Sequence, residues 1–197
     1  MSKINLEKER GLLDRDITFF HFNRAKKRIA KCIKIAKKIN NNFYFFYFLA
    51  QKYILEKKYL MAIKYLDKAL FLNENDFCVY NDKALCFADL GKYKEALEWF
   101  NRGIKKNRDC SLLYHNKGWL FNLLGKHKEA ILCFRKALEL DEERVESLYS
   151  MADSYEKIND IEKAYRYFEE ALYKLKGKCS FMYKETKRRL KKLKNLI

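Results

Sequence analysis

Apolar residues along this chain recur in pairs of short helical stretches. Residues 111–144 carry the pattern most plainly: SLLYHNKGWLFNLLGKHKEAILCFRKALELDEER. Apolar positions three and four apart give two amphipathic helices there, which meet in a tight turn at Gly125. The pattern returns before and after at a step of 34 residues. Ala62, Ala96, Ala130 and Ala164 share one column, and Ala50, Ala84, Gly118 and Ala152 another. A third column holds Ala69, Gly103, Ala137 and Ala171. Large residues align as Leu66, Phe100, Phe134 and Phe168, as Tyr53, Phe87, Phe121 and Tyr155, and as Phe46, Tyr80, Tyr114 and Leu148. The spacing predicts four helix–turn–helix repeats over residues 43–76, 77–110, 111–144 and 145–178.

These columns follow from packing. A small residue lets two helix axes approach, and a ring on the facing helix fills the space beside it. The turn column reads Lys57, Gly91, Gly125 and Asn159. Gly and Asn accept the left-handed backbone that ends a helix, and Lys57 is the weak member. The expected helices are 44–56 with 59–73, 78–90 with 93–106, 112–124 with 127–140, and 146–158 with 161–175.

Six columns agreeing in four copies closely resemble the tetratricopeptide repeat (TPR) family, over residues 43–178. The chain departs from the family in two ways. The tryptophan near the start of the first helix is replaced by Phe46, Tyr80, Tyr114 and Leu148. The proline that closes the second helix is absent, with Glu74, Arg108, Glu142 and Lys176 in its place. The resemblance implies an all-α fold, a right-handed superhelix (α-solenoid) whose first helices line a concave face. It implies a protein-interaction scaffold that holds a segment of a partner in that groove.

Outside the repeats the pattern weakens. Residues 3–22 show an apolar face of Leu6, Leu13, Ile17 and Phe20, interrupted by Gly11. Residues 24–40 place Ile29, Cys32, Ile33 and Ala36 opposite Lys27, Lys31, Lys34 and Lys38. Residues 1–42 thus read as a helical N-terminal extension, a diverged repeat or cap, and Asn40–Asn42 as a break with a helix cap. Gly177 is expected to end the last repeat and Ser180 to cap a final helix. Residues 179–197 then form a basic capping helix with Met182, Thr186, Leu190, Leu193 and Ile197 in one stripe.

Charge sharpens this division. The net charge is +17, of which residues 1–42 carry +8 and residues 179–197 carry +6, while the repeats are near neutral. Basic clusters of this kind attract polyanions without reading sequence. The alternative function is therefore binding of RNA or another polyanion through Arg24, Lys27, Arg28 and Lys31 at one end and Lys187, Arg188, Arg189, Lys191 and Lys192 at the other. Nucleic acid ranks below a protein partner, and self-association through an uncovered end or the groove is the third reading.

Candidate chemistry adds little. The six cysteines form no CxxC pair, and none stands near a histidine at ligand spacing. Buried thiols are expected rather than a metal site or disulfides. No phosphate loop, HExxH or nucleophile–histidine–acid spacing is present, so neither catalysis nor a cofactor is expected. The N-terminus lacks a signal-peptide core, and Phe43–Ala50, the richest apolar run, is too short to span a bilayer. A cytoplasmic location is expected.

The partner-binding groove is expected from first-helix positions outside the packing columns: Tyr47, Phe48, Gln51, Asn81, Asp82, His115, Asn116, Trp119, Asn122, Tyr149 and Asp153. Asparagines can hold a peptide amide through a donor and an acceptor, and Trp119 is the leading anchor. Some TPR domains clamp the carboxylate tails of chaperones with lysines and asparagines on these helices. The matching positions here are Tyr47, Gln51, Asp82, Leu112 and Asn116, or Asn81, Leu85, Asn116, Glu146 and Ser150 one repeat later. Neither set supplies a base and each contains an acid, so no chaperone-tail clamp is expected.

Overall fold

The computed structural model describes residues 5–18, 21–176 and 180–196. The expectations for Phe20, Gly177, Cys179, Ile197 and the Ser180 side chain lie outside the described residues. Within them there are eleven helices and no strand: α1 (Leu6–Thr18), α2 (Phe22–Lys38), α3 (Asn42–Leu55), α4 (Tyr59–Leu72), α5 (Phe77–Asp89), α6 (Tyr93–Lys106), α7 (Ser111–Leu123), α8 (His127–Leu140), α9 (Val145–Lys157), α10 (Ile161–Leu175) and α11 (Ser180–Lys194). The helices of the four repeats begin and end within two residues of the bounds expected from spacing. They form two compact units, Met1–Trp99 and Phe100–Ile197.

The turn column does what its residues allow. Lys57, Gly91, Gly125 and Asn159 all adopt positive φ, between 57° and 73°. In each case the next N–H donates to the carbonyl five residues back, as from Lys126 to Phe121 at 2.9 Å, which closes the helix in a Schellman turn. Asn40 makes the same turn at φ 54°, and the Asn41 N–H reaches the Ala36 carbonyl at 2.9 Å. Asn41 then caps α3, its side chain accepting from the Tyr44 N–H at 3.1 Å.

In the first unit, consecutive helices pack from α1 through α5. The shared core includes Leu13, Ala25, Ile29, Tyr47, Phe48, Ala62 and Leu66. Helix α1 is also held by charge. Arg28 of α2 pairs with Glu9 and, at 2.8 Å, with Asp16, while Arg24 and Lys31 stand 3.7 and 3.8 Å from Asp16 and Glu9.

In the second unit, consecutive helices pack from α7 through α11, and α7 also touches α9. Ala130, Phe134, Ala152, Ala164 and Phe168 are fully buried, as the columns require. A Cβ on Gly118 would stand 2.8 Å from the Phe134 ring. The glycine is therefore a close-approach residue in the middle of α7.

The 34-residue period extends one helix further than the four repeats. Ala152 of α9 is followed one period later by Thr186 of α11, which is fully buried. Its hydroxyl donates to the Met182 carbonyl at 2.7 Å, so the polar group is satisfied inside the helix.

Candidate partner-binding site

The first unit uses its first-helix face internally. Tyr47 and Phe48 of α3 are fully buried, and Gln51 and Asn81 are 4% and 5% exposed. The expectation that these four line an open groove is corrected: all four are buried, with Arg10 of α1 over Tyr47 and Asp82 of α5 bonded to Gln51. The Arg10 guanidinium of α1 lies 4.9 Å from the centre of the Tyr47 ring and pairs with Asp76 at 2.8 Å. Tyr44 donates to Glu7 of the same helix. Gln51 donates to Asp82 at 2.6 Å, and Asn81 donates to it at 3.2 Å. Burial, reinforced by nearby Asp14, pushes the Asp82 carboxyl up to about 7, against the pull of those hydrogen bonds and of Arg10.

The second unit leaves more open. The His115 ring lies tilted against the Phe134 ring at 5.5 Å, and its Nδ1 is 2.8 Å from the Ser147 hydroxyl. Burial, with a smaller contribution from Arg144, lowers the His115 ring to about 4, so it is neutral at pH 7. The Asn122 side-chain oxygen accepts from Ser154 at 2.9 Å and lies 3.0 Å from His127 Nδ1. Tyr149 meets Phe168 edge-on at 5.2 Å. Asp153 pairs with Arg189 of α11 at 2.6 Å. Trp119 differs from these. It is 39% exposed on α7, with half-buried Asn116 and Asn122 one turn to either side and Leu123 exposed nearby.

The basic ends divide in the same way. Arg24, Arg28 and Lys31 face the carboxylates of α1, and Lys27 is exposed. Arg189 bridges Asp153 and Glu156 and lies over the Phe168 ring at 5.2 Å, while Lys192 approaches Glu156 at 3.4 Å. Arg188 pairs with Glu185 of its own helix at 2.6 Å. Lys187 and Lys191 remain exposed on α11 beside an open cleft against α10.

Sequence reading missed Arg10, and gave Arg189 only as a member of the C-terminal polyanion cluster. Both are charged residues that cross from a terminal helix to an aromatic ring and a carboxylate of the repeats. Periodicity marks apolar positions and carries no signal for such a contact. Of the described cysteines, Cys32 and Cys86 are buried while Cys78, Cys110 and Cys133 are half-buried; burial pushes the Cys32 thiol up to about 11 and raises the others as well, which disfavours the reactive thiolate. Among the described residues no group of His, Cys, Asp and Glu is placed to hold a metal ion. No helix there is long and apolar enough to cross a membrane.

Comparison with known proteins agrees with this geometry. Residues 57–109, 111–144 and 145–173 each match a tetratricopeptide repeat family. No curated protein matches the chain. Among solved structures, TTC0263, described as a thermophilic TPR protein in Thermus thermophilus, is similar with a TM-score of 0.73 at 15% identity, over 94% of this chain and 98% of that one. A crystal structure of MamA is similar with a TM-score of 0.61 at 21% identity, over 89% of this chain and 96% of that one. The first TPR of Spaghetti (RPAP3), bound to the HSP90 peptide SRMEEVD, has a TM-score of 0.55 at 18% identity, over 61% of this chain and 91% of that one. At these identities the likeness is one of fold.

Proposed function

The chain belongs to the tetratricopeptide repeat family, and from that premise we propose that it is a protein-interaction module that captures an extended segment of a partner on the first-helix face of its second unit. Trp119 is the anchor. The observation that carries this reading is its exposure. A large aromatic side chain stands open on a helix face flanked by two asparagines, whereas Gln51 and Asp153 in the same column are taken up by other helices. Trp gives much contact area for few frozen torsions, and the Asn122 side-chain NH2, whose oxygen is held by Ser154 and His127, can donate to a peptide carbonyl.

The chaperone tail bound by the Spaghetti domain is not proposed as the ligand here, because the matching positions carry Asp82 or Glu146 and no base. Polyanion capture by the N-terminal cluster is disfavoured by the pairing of Arg24, Arg28 and Lys31 with Glu9 and Asp16.

The test selects peptides from a random display library on the full chain, labels them with a dye and titrates them by fluorescence anisotropy, a readout that the parent and Trp119→Ala share. Trp119→Ala should weaken the selected peptides by about thirtyfold or more, the size of a hot-spot loss, with an unchanged melting curve. Peptides that bind the variant equally well, or a variant that loses its fold, would refute the assignment.

A further inference from the structure

Helix α11 stands in the register of a fifth first helix, and the second-helix position beside it is open among the described residues. On the earlier first helices, His115 and Tyr149 lean on Phe134 and Phe168 of their own second helices at 5.5 and 5.2 Å. One period later that position is Tyr183, which lines the cleft between α10 and α11. The α10 side gives the same reading. Ile131 and Leu138 of α8 pack into the core that includes α10, and their counterparts one period later, Tyr165 and Leu172, line the cleft. The cleft measures about 860 Å³. It runs beside two helices of 15 residues, about 22 Å each.

Its rim is strongly basic. Lys176, Lys184, Lys187, Lys191 and Lys194 surround it, with none in an ion pair among the described residues, and Glu169 is the one acid of the lining. Its floor is apolar, with Leu172 half-buried and Leu190 buried. An apolar floor in a helix-shaped seat calls for an amphipathic helix, and the lysine rim selects acidic residues on its flanks. We infer that this cleft docks an acidic amphipathic helix of a partner protein, which takes the place of the second helix of a fifth repeat. The site is separate from the Trp119 face and stands or falls independently of it.

The probe is a synthetic helical peptide of about 16 residues, long enough to lie along the cleft, with leucine on one face and glutamate on the others. A scrambled peptide of the same composition is the control. Both are titrated against the full chain by fluorescence anisotropy at about 0.15 M salt, where exposed charges more than about 8 Å apart are screened. The patterned peptide should bind at least tenfold more tightly than the scrambled one, a difference of about 1.4 kcal/mol. The triple variant K184E/K187E/K191E and the single variant Leu172→Ser should each weaken it about tenfold or more, and Trp119→Ala should leave it unchanged. Neutral Gln at the same three lysines serves if charge reversal alters the circular dichroism. Equal binding of the scrambled peptide, or full binding by well-folded cleft variants, overturns the proposal. Displacement of the peptide by an oligouridylate or by anionic vesicles at lower concentration also overturns it, in favour of a polyanion surface. Sedimentation showing a dimer that the lysine variants abolish overturns it in favour of a second copy of this chain.

Discussion

Replacing Gly118 by alanine sets two effects of known size against each other. Glycine inside a helix costs about 0.5–1 kcal/mol relative to alanine, so the helix alone should gain that much. The packing opposes it. The new Cβ would lie 2.8, 2.9 and 3.1 Å from Cε1, Cδ1 and Cζ of Phe134. Ordinary contacts begin near 3.4 Å, so the ring must move. It is fully buried, and His115 stands on it at 5.5 Å, which limits the retreat. Overpacking of this kind costs about 1–3 kcal/mol. The net expectation is a loss of about 1 kcal/mol, or about 2–4 °C in melting temperature for a chain of this size. The first repeat supplies the control. There the same two columns hold Ala50 and Leu66, both fully buried. The double variant Gly118→Ala/Phe134→Leu should therefore be more stable than the sum of the single changes, a coupling readable in a double-mutant cycle by urea denaturation. A Gly118→Ala protein that melts higher than the parent, or a strictly additive cycle, would refute the close approach of α7 and α8.

Two further expectations concern the first unit. Arg10 is 4% exposed and pairs with Asp76, itself largely buried, so Arg10→Met strands a carboxylate and should cost about 3–5 kcal/mol. Hydrogen exchange should show lost protection across residues 6–18 first, and unchanged protection there would mean the pair does not hold α1. Asp82, pushed up to about 7, binds its proton more tightly in the folded state than in the unfolded chain. Its stabilising contribution is therefore present in acid and falls away as pH rises from about 4 through 7. Asp82→Asn should stabilise the chain by about 1–2 kcal/mol at pH 8, the shift being discounted for partial exposure, and by little at pH 4. Equal effects at both values in thermal melts would exclude the titration.

The columns were legible because each reports a contact inside one repeat, or between neighbours, made by apolar groups at fixed spacing. Ala130 against Phe134 and the turn at Gly125 need nothing beyond that spacing. The candidate face was only half legible for the same reason. Spacing places Tyr47, Gln51, Trp119 and Asp153 on equivalent helix faces, but it does not say which of those faces another helix covers. In the first unit the cover depends on Arg10 meeting Asp76, 66 residues away, through one side chain. In the second it depends on Arg189 meeting Asp153, 36 residues away. Single charged contacts at such separations leave no periodic trace.

The two ends of the chain therefore present different surfaces. At the N-terminal end the left-handed turns at Asn40 and Lys57 stand half a repeat apart, so α2, α3 and α4 are joined by two turns of the same kind. The full-step register is lost there, and α1 is held by ion pairs and Arg10 rather than by small-residue columns. At the C-terminal end the register survives into α11, where Thr186 takes the small-residue position and is buried like the alanines before it. Each repeat buries its face against its neighbour, and on α11 Thr186 is already packed while Tyr183 lines the cleft against Leu172 of α10. The exposed lysines of α11 stand along that same cleft, so charge and repeat geometry together define the helix we infer it would seat.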